Sequence, residues 1–228
     1  SVAIAFSMLF GVNCCAQSVK EKERIDSIFT AIKVMPDDTS KVSYVNKIYD
    51  DVLWMYNLPE AYNQLKIAAR LANQLGADLL EYKTYRAMAG YCVRANAHDY
   101  ALQNCKAALT IAERLKDSVR IASCWVGMAM SFSGMGQNEL AITYYRNALP
   151  FTIAAGNIER VGRIHTFIGW AYDGLGQVDS AIKYCEMGRL ERGQAGYVDG
   201  VLATNGSLLG MYLRSGQYDK AREIAEHC

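Results

Sequence analysis

Residues 174–185 read GLGQVDSAIKYC, and the same pattern stands forty residues to either side, as GMGQNELAITYY at 134–145 and RSGQYDKAREIA at 214–225. Gly136-Gln137, Gly176-Gln177 and Gly216-Gln217 therefore fall at one fixed spacing. A unit of this length cannot bury its apolar face alone and must stack on a copy of itself. Alanine sets the register at Ala61, Ala101, Ala141, Ala181 and Ala221. Seven residues after each comes a second small column, Ala68, Ala108, Ala148, Gly188 and Cys228. Seven residues are two helical turns on one face, so both columns mark places where helices approach closely. Upstream of the alanines lie two columns of core positions belonging to a preceding helix. They are Ile48, Met88, Met128, Ile168 and Leu208, then Val52, Cys92, Phe132, Tyr172 and Tyr212.

Punctuation keeps the same period. Gly136, Gly176 and Gly216 separate the two helices of a unit, with Asn96 in the equivalent place one unit earlier. Units end at Gly76, Gly156 and Gly196, with Lys116 as the exception. Glycine and asparagine tolerate positive φ, so these positions predict left-handed caps at helix C-termini. Asp78, Asp117 and Asn157 follow as expected N-caps of the next helix. Pro150 falls inside a predicted helix, where it removes a backbone donor, so a kink or an early end is expected there. Each unit reads as helix, tight turn, helix, turn.

The order of small residue, glycine turn, aromatic and paired alanines resembles the tetratricopeptide repeat. Trp125, Met128, Ala129, Phe132, Gly136, Ala141, Tyr145 and Ala148 carry the resemblance in the third unit, and Ile168, Gly169, Tyr172, Gly176 and Ala181 in the fourth. The period of forty exceeds the family's usual ~34 residues, and the proline that commonly closes a unit is missing. This long variant is similar to the repeat regions found in secreted N-terminal parts of bacterial sensor kinases and transcription regulators. The resemblance implies an all-α fold: a right-handed α-solenoid of five antiparallel helix pairs across 42–228. Ile25, Ile28, Phe29 and Ile32 add an N-terminal capping helix within 17–41, stopped by Pro36, and Asp38 or Thr39 can cap the helix that follows.

Residues 1–16 differ in kind. The uncharged run SVAIAFSMLFGVNCCA precedes the charged KEKER, as expected for a signal peptide cut after Ala16 with its basic n-region missing. The expected location is periplasmic or otherwise extracytoplasmic. The last repeat reads as truncated, with any membrane link expected only through a missing C-terminal part. Lys plus Arg is 24 against 23 for Asp plus Glu, which gives no electrostatic case for nucleic acid.

No catalytic constellation emerges. His98, His165 and His227 have no partners at metal-ligand spacing, so neither a metal nor a cofactor is expected. Gly174-Leu175-Gly176 follows a helix rather than a strand and is the repeat's turn. A Cys92–Cys105 disulfide and reduced core thiols both remain open, the family's geometry placing these two cysteines across one helix pair. Asn205-Gly206-Ser207 matches a glycosylation acceptor but lies inside a predicted helix.

Binding is what remains. In the family, ligands lie in the concave groove lined by the first helix of each unit, and the resemblance maps that groove onto specific residues here. They are Asn46, Asp50 and Trp54 in unit one, and Lys83, Arg86 and Arg94 in unit two. Ser123, Val126 and Met130 follow in unit three, Arg163, Thr166, Trp170 and Asp173 in unit four, and Arg214 in unit five. The basic members favour a protein or acidic peptide as partner, with Trp170 as apolar anchor. Two function classes follow: the extracytoplasmic sensory half of a larger bacterial signal-transduction protein, or a stand-alone secreted adaptor.

Overall fold

Helix starts recur every twenty residues from Asp78 to Tyr218. The computed structural model describes residues 22–52 and 59–226. Within them a helix covers residues 22–34 (α1), followed by α2 (Thr39–Asp51), α3 (Pro59–Gln74), α4 (Asp78–Arg94) and α5 (His98–Arg114). Then come α6 (Ser118–Gly134), α7 (Asn138–Ala154), α8 (Ile158–Gly174), α9 (Val178–Gln194), α10 (Val198–Arg214) and α11 (Tyr218–Glu226). The described residues contain no strand, and the architecture is an all-α repeat solenoid. Trp54, His227, Cys228 and the predicted signal peptide lie outside the described residues.

The turns explain the regularity. Gly76, Asn96, Lys116, Gly136, Gly156, Gly176, Gly196 and Gly216 all have positive φ, between 53° and 75°. At Gly136 the amide donates to the Ser133 carbonyl at 3.0 Å, and the Gln137 amide reaches back to Phe132 at 2.9 Å. These two bonds form a Schellman motif, which satisfies the carbonyls a helix leaves open at its end. Lys116 takes the same path with the same bonds, to Glu113 at 3.0 Å and from Asp117 to Ala112 at 3.1 Å. The exception in the sequence is therefore no exception in conformation.

Two local expectations need correction. Asp117 and Asn157 are N-caps whose side chains accept from Arg120 and Arg160 amides, but the cap of α4 is Ala77, and Asp78 sits one position inside the helix. Asp78 bonds Arg114 instead, at 2.6 Å. Of the kink or early end expected at Pro150, the early end does not occur: helix α7 runs to Ala154 like its neighbours. Pro150 and Arg146 are both exposed, so the carbonyl that loses its partner lies on the solvent side. Asp38 caps α2 as expected, accepting from Ser40 at 2.8 Å, and α2 starts at Thr39, ahead of residue 42.

Packing follows the small-residue columns. Ala61, Ala101, Ala141, Ala181 and Ala221 are all buried, as are Ala68, Ala108, Ala148 and Gly188. A Cβ on Gly188 would stand 2.5 Å from the Gly162 carbonyl oxygen, which shows how closely α8 and α9 approach. Helix α1 inserts Ile28 and Ile32 against Val42, Val45 and Tyr49 of α2, and so covers the first unit's open face. First helices pack on the next first helix at α2–α4, α4–α6 and α8–α10, whereas second helices make no comparable contacts. The first helices therefore form the inner, concave row of the stack.

Candidate functional site

The inner row is not evenly closed. Helices α6 and α8 meet less than α2 and α4 or α4 and α6 do. A cavity of 460 Å³ opens there, and an adjoining cleft of 790 Å³ runs along α2 and α4. Both volumes lie within the ~300–1,000 Å³ typical of small-ligand pockets. Arg86, Ser123 and Arg160 line both, so the two spaces form one concave site.

Its electrostatics are one-sided. Lys47, Lys83, Arg86, Arg94, Arg160 and Arg163 line the combined site, against the carboxylates Asp50 and Asp51. The Arg86 guanidinium lies against α6, where Gly127 makes room for it: a Cβ there would stand 2.3 Å from Arg86 Nη1. Arg86 Nη1 donates to Cys105 Sγ at 3.5 Å, and Arg160 Nη1 to Ser123 Oγ at 3.5 Å. Among the described residues no carboxylate forms an ion pair with Arg86, Arg160 or Arg163. Arg94 donates to the Tyr49 hydroxyl. Partial desolvation, then the adjacent Asp51, hold the Asp50 carboxyl above the usual carboxylate range, while Lys83 pulls it down. Asn46 ties α2 to α4 by donating to Thr84 Oγ1 at 2.9 Å, and its buried Oδ1 has no partner among the described residues.

The structure thus brings Asn46, Asp50, Lys83, Arg86 and Arg94 into one cleft, with Arg163 in the adjoining cavity. Trp170, Asp173 and Arg214 line neither space and form a separate cluster of α8 and α10. There Arg214 pairs with Asp173 at 2.5 Å, and Trp170 donates to Ser207 Oγ at 3.0 Å. Arg214 therefore adds no uncompensated charge. Besides Lys47, the mapping of groove positions omits one cation of the site, Arg160. It lies in the first turn of α8 rather than at mid-helix, and its signal is the column Arg120–Arg160 at the repeat period.

Nothing in the site suggests covalent chemistry. Among the described residues no group of His, Cys, Asp or Glu side chains stands close enough to hold a metal. His165 is buried, bonded to Glu191 at 2.6 Å, and serves the α8–α9 contact. Cys92, Cys105, Cys124 and Cys185 are free and buried, and burial pushes the Cys124 and Cys185 thiols up to about 12. Asn205 is buried in α10 and unsuited to carry a glycan.

Residues 122–149 and 162–186 match the family model of the tetratricopeptide repeat. No curated protein matches the chain. Among solved structures, BtubC from P. vanneervenii is 20% identical over 92% of this chain and 88% of its own, with a TM-score of 0.74. A Rap protein complexed with Competence and Sporulation Factor is 16% identical over 81% of this chain and 56% of its own, with a TM-score of 0.68. A Signal Transduction ATPase with Numerous Domains with a tetratricopeptide repeat sensor, from Pyrococcus horikoshii, is 17% identical over 93% of this chain. This chain spans only 33% of that protein, at a TM-score of 0.74. At these identities the likeness shows the fold alone.

Proposed function

We propose that this chain, built of tetratricopeptide repeats, is a non-enzymatic scaffold whose concave face holds an acidic peptide or protein segment. The observation that carries the proposal is the excess of cations on that face: six cationic side chains against two carboxylates, with no ion pair to Arg86, Arg160 or Arg163 among the described residues. An extended segment bearing carboxylates would neutralise them through charge-assisted bonds, and Arg is suited to bidentate carboxylate recognition. Because the groove is open to solvent, the attraction is screened and affinity falls with salt. The complexed Rap protein supports the reading, as a solved example of this fold with a bound factor.

The experiment is a peptide-library pull-down with the chain and with the combined variant Arg86→Ala, Arg160→Ala, Arg163→Ala. Glutamate- and aspartate-rich sequences should be enriched by the chain, lost from the variant and weakened at high salt. Enrichment of the same sequences at the same strength by both proteins would refute it. Within the same proposal, the chain is the extracytoplasmic sensory part of a signalling protein, with a secreted adaptor as the alternative. The uncharged stretch ahead of KEKER supports export, and the repeat sensor of the Pyrococcus ATPase supports sensing. An alkaline phosphatase fusion joined after residue 226 tests export, since that reporter is active only outside the cytoplasm.

A further inference from the structure

The repeat register explains why the cavity between α6 and α8 exists at all. At the preceding unit interface the equivalent space is filled by Tyr82, which stands forty positions before Ala122. Tyr82 is buried against Ala108, Ile111, Ala112 and Cys124, and the Arg120 guanidinium lies 5.5 Å from its ring centre. At the following interface the space is filled from the other side by Arg192, forty positions after Thr152. Arg192 is buried, donates to Thr204 Oγ1 at 3.3 Å, and packs where Gly162 and Gly200 make room. Between α6 and α8 both fillers are cut short, to Ala122 and Thr152, and neither glycine is repeated: their counterparts are Ala122 and Arg160. Among the described residues no ring stands under Arg160 as Tyr82 does under its counterpart Arg120.

We propose that this cavity is a socket for one aromatic side chain of the bound acidic peptide, replacing the filler that the chain supplies to itself at Tyr82. This inference rests on the groove reading and names the residue class that the groove selects. Ala122, Val126 and Ile164 give the socket apolar walls. Arg160 supplies the cation over the ring that Arg120 supplies next door. Arg86 and Arg163 stand at the same cavity for the carboxylates that flank the aromatic residue. A peptide offering only carboxylates leaves the apolar walls wet. One offering only an aromatic leaves three guanidinium groups without a counter-charge.

The test uses the full chain and two fluorescein-labelled peptides, one with a central tyrosine between pairs of glutamates, the other with alanine at the centre. Anisotropy titrations should show the tyrosine peptide binding at least tenfold more tightly. Ala122→Tyr, which recreates the neighbouring filler, should bring the tyrosine peptide down to the level of the alanine peptide while keeping the helical circular dichroism signal. Ala122→Met, a slimmer and more adaptable filler, gives the same reading if the tyrosine variant misfolds. Equal binding of both peptides by the chain, with loss on Arg86→Ala and Arg163→Ala, overturns the socket and leaves the groove reading standing. A tyrosine preference that survives both fillers overturns it as well. Binding of neither peptide overturns both readings.

Discussion

Asp117 shows how much one side chain can contribute at a unit boundary. Its carboxylate accepts from the Arg120 amide at 2.9 Å and from the Arg120 guanidinium, and these bonds, the amide first, hold its pKa below the ordinary Asp value. A lowered folded-state pKa means stability that is present above the unfolded value of ~3.9 and lost as pH falls through the folded one. Asp117→Ala should cost about 1 kcal/mol in urea unfolding at pH 7 and clearly less at pH 3. Asp117→Asn should keep the cap and remove most of that pH dependence. A variant as stable as the parent at pH 7 would show that the cap is idle. The cap was legible in the sequence because it sits in a periodic column, 77–117–157. Asp78 misled because an acidic residue one place to the right looks equally suited to capping. The socket escapes a reading of the sequence for a different reason: it consists of side chains that are absent, and a sequence pattern displays what is present, not the space left by Ala122 and Thr152.

At the scale of the helix and its turn, the glycine columns were decisive because only a few residues accept the left-handed conformation without strain. Helix boundaries followed from them almost to the residue, as the twenty-residue steps from Asp78 to Tyr218 show. Lys116 is the costly member, with φ at 53° and an exposed side chain. Lys116→Gly should therefore stabilise the chain by about 1 kcal/mol, an increase of roughly 2–4 °C in Tm, the greater freedom of glycine in the unfolded chain offsetting part of the gain. Thermal unfolding followed at 222 nm decides it, and a lower Tm would mean that Lys116 makes an interaction outweighing its strain. The early end expected at Pro150 does not occur, because the effect of a proline depends on which way the orphaned carbonyl faces. The exposed side of α7 leaves that carbonyl to water, and the helix goes on.

For the molecule as a whole, the core is a chain of local clusters rather than one centre. Ile32, Val42 and Leu65 belong to the first cluster, Tyr145 and Ile168 to a middle one, and Ala181, Leu208 and Tyr212 to the last. Stability in such a stack is close to a sum of unit and interface contributions, so damage should stay near its origin. Ala181 tests this, because it is fully buried and its carbonyl lies 2.9 Å from where a Cβ on Gly169 would stand. Ala181→Leu forces extra methyl groups into that contact and should cost ~1–3 kcal/mol. Native-state hydrogen exchange should then show faster exchange through α8, α9, α10 and α11 while α2, α3, α4 and α5 keep their protection. The cavity between α6 and α8 gives the reason for expecting the boundary there: the inner row is weakest at that point, so the two halves share least contact across it. Equal loss of protection from α2 to α11 would show that the stack unfolds as one body. The same gap would then have to be a rigid socket rather than a seam.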